Sequence, residues 1–181
     1  ILMVFFILVT MFNSIIKPLI IFTTILFSII GVLLGYALTG MDFVIVMSGV
    51  GIIALAGIVV NNGILLIDFT DIRFKEGMKP ASSIIDGGVV RLQPVLLTAV
   101  ATMLGLVPLA FGLNINFATL LSDFSPNISF GSDSTVFWAP LSWAIIFGLT
   151  FSTFLTLLIV PTMYVIQFAL KQKYALARLR G

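Results

Sequence analysis

Four polar side chains in this sequence interrupt otherwise apolar stretches: Asn61 and Asn62 in GIVVNNGILLIDF, and Arg91 and Thr98 in RLQPVLLTAVATMLG. An amide surrounded by apolar groups is costly unless it is hydrogen-bonded, so each asparagine needs a partner. Asn61 lies ten residues before Asp71, which helical rise converts to about 15 Å. Asp68 follows Asn61 by seven residues and shares its face of a helix. Arg91 and Thr98 are also seven apart, so Thr98 lies about 10 Å deeper than the arginine. Thr102 and Gly105 continue that face as a small, packable stripe. On antiparallel neighbours, Asn61 and Thr98 reach similar depths. Two kinds of chemistry fit such a cluster. It can line an ion pathway, or it can be interhelical glue worth about 0.6 kcal/mol per hydrogen bond. For the asparagine pair, spacing alone favours glue. For Arg91 the alternatives are pathway charge and a side chain that snorkels to an interface, and spacing does not choose.

The elements that must position these residues are membrane helices. Hydrophobic residues make up 60% of the 181 and charged residues 9%, with a mean hydropathy of +1.25; an ordinary soluble domain carries about 25% charged residues. Pro18–Met41, Phe43–Ile67, Leu92–Ser122 and Ser134–Leu170 each lack Asp, Glu, Lys and Arg. Crossing a hydrocarbon core takes roughly 20 apolar residues as helix, and each stretch is long enough. Only helices or closed barrels satisfy backbone groups in lipid, and barrel alternation is missing. The expected fold is therefore an all-α integral membrane bundle of four full transmembrane helices and one partial helix, embedded in a lipid bilayer. There is no cysteine and no histidine, so thiolate and imidazole chemistry are excluded. No metal, no cofactor and no enzymatic reaction is expected. The net charge of +2 and pI of 9.2 are read as basic residues marking one membrane side, not as a nucleic-acid interface.

Punctuation sets the expected boundaries. Ile1 opens the run ILMVFFILVTMF with no basic stretch ahead of it, unlike a signal peptide; residues 1–13 are expected to be the end of a transmembrane helix that begins upstream. Spans follow at 19–36 and 43–71. Residues 72–91 are expected to be a cytoplasmic loop with an interfacial helix, starting near Pro80 and stopping at Gly87-Gly88. A span at 92–111, an outer loop at 112–140, a span at 141–170 bending near Pro161, and a basic tail at 171–181 complete the chain. Any strand is expected only within 112–140. With alternating sides, all nine basic residues fall on one face, while Asp42, Asp123 and Asp133 fall on the other. Basic residues near helix ends stay cytoplasmic, which puts the C-terminus in the cytoplasm and the 112–140 loop in the periplasm. Trp138 and Trp143 mark the outer boundary. Gly31 and Gly35 form a G-x-x-x-G, and Gly49, Gly51, Gly57 and Gly63 stud the next span; all are read as close helix packing. No membrane-depth Asp or Glu is present, so either the chain moves no protons or the carboxylates lie elsewhere.

Taken in order, GIVVNNGILLIDF, a short basic loop, RLQPVLLTAVATMLGLVPLAFG and IIFGLTFSTFLTLLIVPTMYV resemble the last three helices of resistance–nodulation–division efflux pumps. LVTMFNSIIKPLIIF resembles that family's junction between its eighth and ninth helices, so the likeness covers nearly the whole chain. The resemblance implies the C-terminal transmembrane portion of a twelve-helix transporter, from the end of helix eight to helix twelve. It implies drug or amphiphile efflux by proton antiport in the bacterial inner membrane. The implied partners are the N-terminal half of the same pump, two further copies in a homotrimer, a periplasmic adaptor and an outer-membrane channel. In that family protons pass an aspartate pair on the fourth helix, which pairs with polar and basic groups on the tenth and eleventh. Arg91 is similar to the eleventh-helix arginine and Thr98 to the relay threonine. Asn61 stands where drug pumps have a lysine and many other members an asparagine, with Asn62 and Asp68 as supporting candidates. Without the lysine, Arg91 is left to balance the aspartates. The 112–140 loop is longer than the family's usual connection. A different class of reading is a non-transporting membrane subunit or scaffold with a purely structural polar cluster. An aspartate pair upstream in the gene would separate the two.

Overall fold

In lipid a backbone meets its hydrogen-bonding needs within its own helix, and the uncharged stretches fold accordingly. The computed structural model describes residues 2–77, 80–115, 128–131 and 133–178. Within them lie α1 (Leu2–Phe12), α2 (Ile16–Thr39), α3 (Ile45–Lys75), α4 (Pro80–Ala110) and α5 (Asp133–Arg178). Four of these, α2 to α5, are long and apolar enough to cross a membrane. With 11 residues, α1 is too short to do so by itself. The strands β1 (Leu113–Ile115) and β2 (Ile128–Phe130) pair antiparallel, Leu113 opposite Phe130, inside the loop where strand was expected if anywhere. Residues 116–127, Lys79, Asp123 and Arg180, which entered the topology argument, lie outside the described residues.

The axis of the bundle is α5, which packs on α2, α3 and α4; α3 lies between α2 and α4, and α1 rests on α2. Glycines permit the close approaches. A Cβ built on Gly31 would fall 2.5 Å from Phe151 Cβ, one on Gly35 2.5 Å from Phe147 Cβ, and one on Gly148 2.1 Å from Leu55 Cδ2. Two apolar clusters fill the interior. Leu8, Ile21, Ile25, Val60, Ile67 and Val160 form one; Val32, Leu55, Val59, Ala99, Ala144 and Leu149 form the other. The Tyr36 hydroxyl donates to the Pro140 carbonyl at 2.6 Å and lies 3.1 Å from Ser48 Oγ. Trp143 donates its Nε1–H to the Ala110 carbonyl at 3.1 Å and stacks on Phe147.

Several boundaries differ from those expected. No helix stop occurs at Gly87-Gly88: the segment read as an interfacial helix and the span after it form the single helix α4, with Pro94 inside it. The reason is that Gly87 is a contact glycine. It is buried, and a Cβ there would fall 2.6 Å from Thr70 Oγ1 on α3, so its missing side chain lets the two helices meet. The final helix likewise runs from Asp133 to Arg178, unbroken through Pro140 and Pro161, because packing on three neighbours outweighs the backbone donor missing at each proline. The glycines of α3 also divide. Gly51 and Gly63 pack against Ala144 and Ile21, whereas none of the described residues lies within 4 Å of a Cβ placed on Gly49 or Gly57.

Candidate functional site

The space left open beside Gly57 is a groove of about 510 Å³ between α3 and α4, and Asn61, Asn62, Arg91, Pro94, Val95 and Thr98 line it. Small side chains at Ala54 and Gly57 on its α3 wall leave that space unfilled. The groove thus brings together the four polar residues of the sequence pattern. Asp68 is half-buried and is not part of this wall. Asn62 is buried at 7% exposure, while Asn61 is exposed. Neither amide forms a side-chain hydrogen bond among the described residues, so no hydrogen-bond glue runs through them there.

Thr98 donates its hydroxyl to the Val95 carbonyl at 3.0 Å, leaving the oxygen free to accept on the groove side. Thr102 donates in turn to the Thr98 carbonyl at 2.7 Å. Arg91 is half-buried. Its Nε is buried without a hydrogen-bond partner among the described residues, and its guanidinium carbon lies 4.7 Å from the centroid of the Phe69 ring. A guanidinium is charged at any biological pH, so the groove holds a permanent cation with no carboxylate against it among the described residues. The walls are open on the far side as well. Only 11% of the most apolar window of α4 is buried, against 44–50% for the other three spans; polar and apolar faces of α4 are therefore available to elements outside the described residues.

Residues 1–167 match the AcrB/AcrD/AcrF family. The chain belongs to that family. Over 100 residues it is 36% identical to the swarming motility protein SwrC of Bacillus subtilis, covering 55% of this chain and 8% of SwrC. Over 99 residues it is 32% identical to the nickel and cobalt resistance protein CnrA of Cupriavidus metallidurans, again 55% of this chain and 8% of the relative. The crystal structure of a heavy metal efflux pump superposes on it with a TM-score of 0.67 at 27% identity, covering 91% of this chain and 14% of that one. This AcrB/AcrD/AcrF member therefore has the multi-pass helix arrangement of a resistance–nodulation–division efflux transporter, of whose length it spans a small part.

A second polar cluster of this family member escaped the sequence reading. Lys17 at the start of α2 is ion-paired with Asp71 near the end of α3, and the Tyr164 hydroxyl of α5 donates to the other oxygen of the same carboxylate. Lys17 also lies 5.8 Å from the Phe12 ring centroid. The Lys17 and Asp71 side chains are 18% and 16% exposed, so the pair is partly shielded from solvent screening. A signal for half of it existed: Lys17 directly precedes the uncharged stretch of one span and Asp71 lies near the end of the adjacent antiparallel one, which places them at similar levels. Tyr164, distant in sequence, gave none. Asp71→Asn would leave Lys17 without a counter-charge, and the expected loss is about 1–3 kcal/mol of stability. Thermal unfolding of the detergent-solubilised full-length protein checks this; an unchanged midpoint would reduce the cluster to a surface contact.

Proposed function

We propose that this chain forms one wall of the proton pathway in a proton-driven exporter. The observation that supports it best is Arg91, a permanent cation with a buried, unpartnered Nε, in the groove that also holds Asn61, Asn62 and Thr98. Keeping a charge at membrane depth without a partner is costly, so a groove of this kind calls for carboxylates on a helix beyond the described residues. Arg91 would hold those carboxylates below their usual proton affinity, since a nearby opposite charge favours the ionised form. Thr98 would pass the proton's hydrogen bond along, its hydroxyl both donor and acceptor. Asn61 would hydrogen-bond either protonation state without adding charge, with Asn62 and Asp68 in support. The scaffold alternative is weakened because neither asparagine makes an interhelical side-chain hydrogen bond among the described residues.

The rest of the reading is proposed on the same footing. The basic helix ends and the C-terminus face the cytoplasm of a bacterial inner membrane, by the distribution of Lys and Arg. The pump assembles as a homotrimer with a periplasmic adaptor and an outer-membrane channel. For the cargo we propose amphiphiles. The similarity to a nickel and cobalt resistance protein and to a heavy metal pump favours divalent cations as a second reading. Cells carrying the full-length transporter, scored for tolerance of detergents and dyes against nickel and cobalt, separate the two.

The relay role is tested at Thr98. Thr98→Ala is expected to lower proton-coupled export roughly tenfold, the worth of about one hydrogen bond of 1.4 kcal/mol, while Thr98→Ser retains most of it. Serine and alanine variants that export alike would remove the hydroxyl from the pathway.

A further inference from the structure

Phe69 on α3 lies one helical turn before Arg73, and its ring has a guanidinium carbon on either arginine close by: Arg91 at 4.7 Å and Arg73 at 5.1 Å from the centroid. The two arginines differ in their surroundings. Arg73 is held by Glu76 at 3.0 Å and by Asp86 at 2.9 Å, so its charge is answered by two carboxylates. Arg91 has neither, and the ring is its one charge-directed contact among the described residues.

We infer that Phe69 is the positioning residue for Arg91, holding its guanidinium in the groove while leaving its charge uncompensated; the inference rests on the relay reading of that groove. A ring face attracts a cation through its quadrupole but carries no net charge. A carboxylate in the same place would hold Arg91 equally well and cancel the field that the pathway needs. Left free, a long arginine near a helix end extends toward the interface. The attraction of the Phe69 face opposes that excursion. The other charged or titratable groups at this level are Asp68 on α3, Asp71 on α3 tied to Lys17 of α2, and Tyr164 of α5. None of them touches Arg91 among the described residues.

The experiment uses the full-length transporter in inverted vesicles, with dye export followed against pH. Phe69→Leu keeps an apolar side chain and removes the π face; Phe69→Trp keeps the face. With Arg91 displaced, the partner carboxylates bind protons more tightly. The leucine variant should therefore move the midpoint of the pH profile upward by about half a unit or more, with expression and thermal midpoint near those of the parent. The tryptophan variant should keep the parental profile. A leucine variant with an unshifted profile overturns the inference, as does an equal shift in the leucine and tryptophan variants. The underlying relay reading fails separately: if Arg91→Ala exports normally the relay is wrong, whereas loss in Arg91→Ala with an unshifted Phe69→Leu profile rejects the positioning role alone.

Discussion

Replacing Arg91 with alanine in the full-length transporter is expected to abolish export while leaving expression and oligomeric assembly intact. The argument is electrostatic. Arg91 is half-buried, and among the described residues its Nε has no hydrogen-bond partner and its one charge-directed contact is an uncharged ring, so its field acts on whatever anion the groove receives. Removing one member of a buried charge pair costs about 3–5 kcal/mol because the other is left uncompensated. At about 1.4 kcal/mol per decade, that is more than a hundredfold in the population of the ionised partner. Arg91→Lys should fall between, since lysine keeps the charge and loses the planar fork. Structure should survive, because Arg91 contributes no hydrogen bond to another helix among the described residues. Export at the parental rate by a normally expressed alanine variant would make the groove a packing defect, not a pathway.

The second large effect is expected at the seam between α2 and α5. Gly31 meets Phe151 and Gly35 meets Phe147, so two glycines one turn apart receive two phenylalanines one turn apart on an antiparallel helix. A Cβ on Gly35 would lie 2.3 Å from Phe147 Cγ and 2.5 Å from its Cβ. The Phe147 Cβ is fixed to the backbone and cannot swing aside, so α5 itself would have to move. Overpacking of this kind costs about 1–3 kcal/mol and sometimes more, and here the displaced helix carries the contacts to α3 and α4 as well. Gly35→Leu should therefore give little or no folded protein by size-exclusion of detergent extracts, and the double variant with Gly31→Leu none. Gly49→Ala, with nothing within 4 Å, should match the parent. Adding Phe147→Ala to Gly35→Leu should recover part of the loss, because contacting sites couple. A stable, monodisperse Gly35→Leu protein would mean that the two helices do not interlock here.

The candidate site was partly legible before any coordinates. Depth was the readable quantity: Asn61 ten residues from Asp71 and Thr98 seven from Arg91 fixed how far each lies along its helix, and both line one groove. The contacts of Arg91 were not readable. Phe69 was one of 17 phenylalanines with nothing in its spacing to mark it, and only the crossing of α3 and α4 brings it to the arginine. Asp68 shared the face of Asn61 by period, yet a half-buried position off the groove wall is where the packing leaves it.

By itself the sequence determined that this is a membrane protein, how many helices can cross, which polar residues lie at matching depth, and that strand could form only within 112–140. These follow from one-dimensional facts: the hydrocarbon core has a fixed thickness, and charge is excluded from it at a cost that depends on depth. The tertiary structure alone decided that α5 is the axis, that Gly87 is a helix contact where a stop was expected, that Lys17, Asp71 and Tyr164 converge, and that Phe69 meets two arginines. Those depend on rotation about each helix axis and on the choice of neighbour. In water an apolar stripe every 3.6 residues announces which face packs inward. In lipid both faces are apolar, the hydrophobic difference between them vanishes, and orientation is set by the interlocking of small and large side chains between segments far apart in sequence.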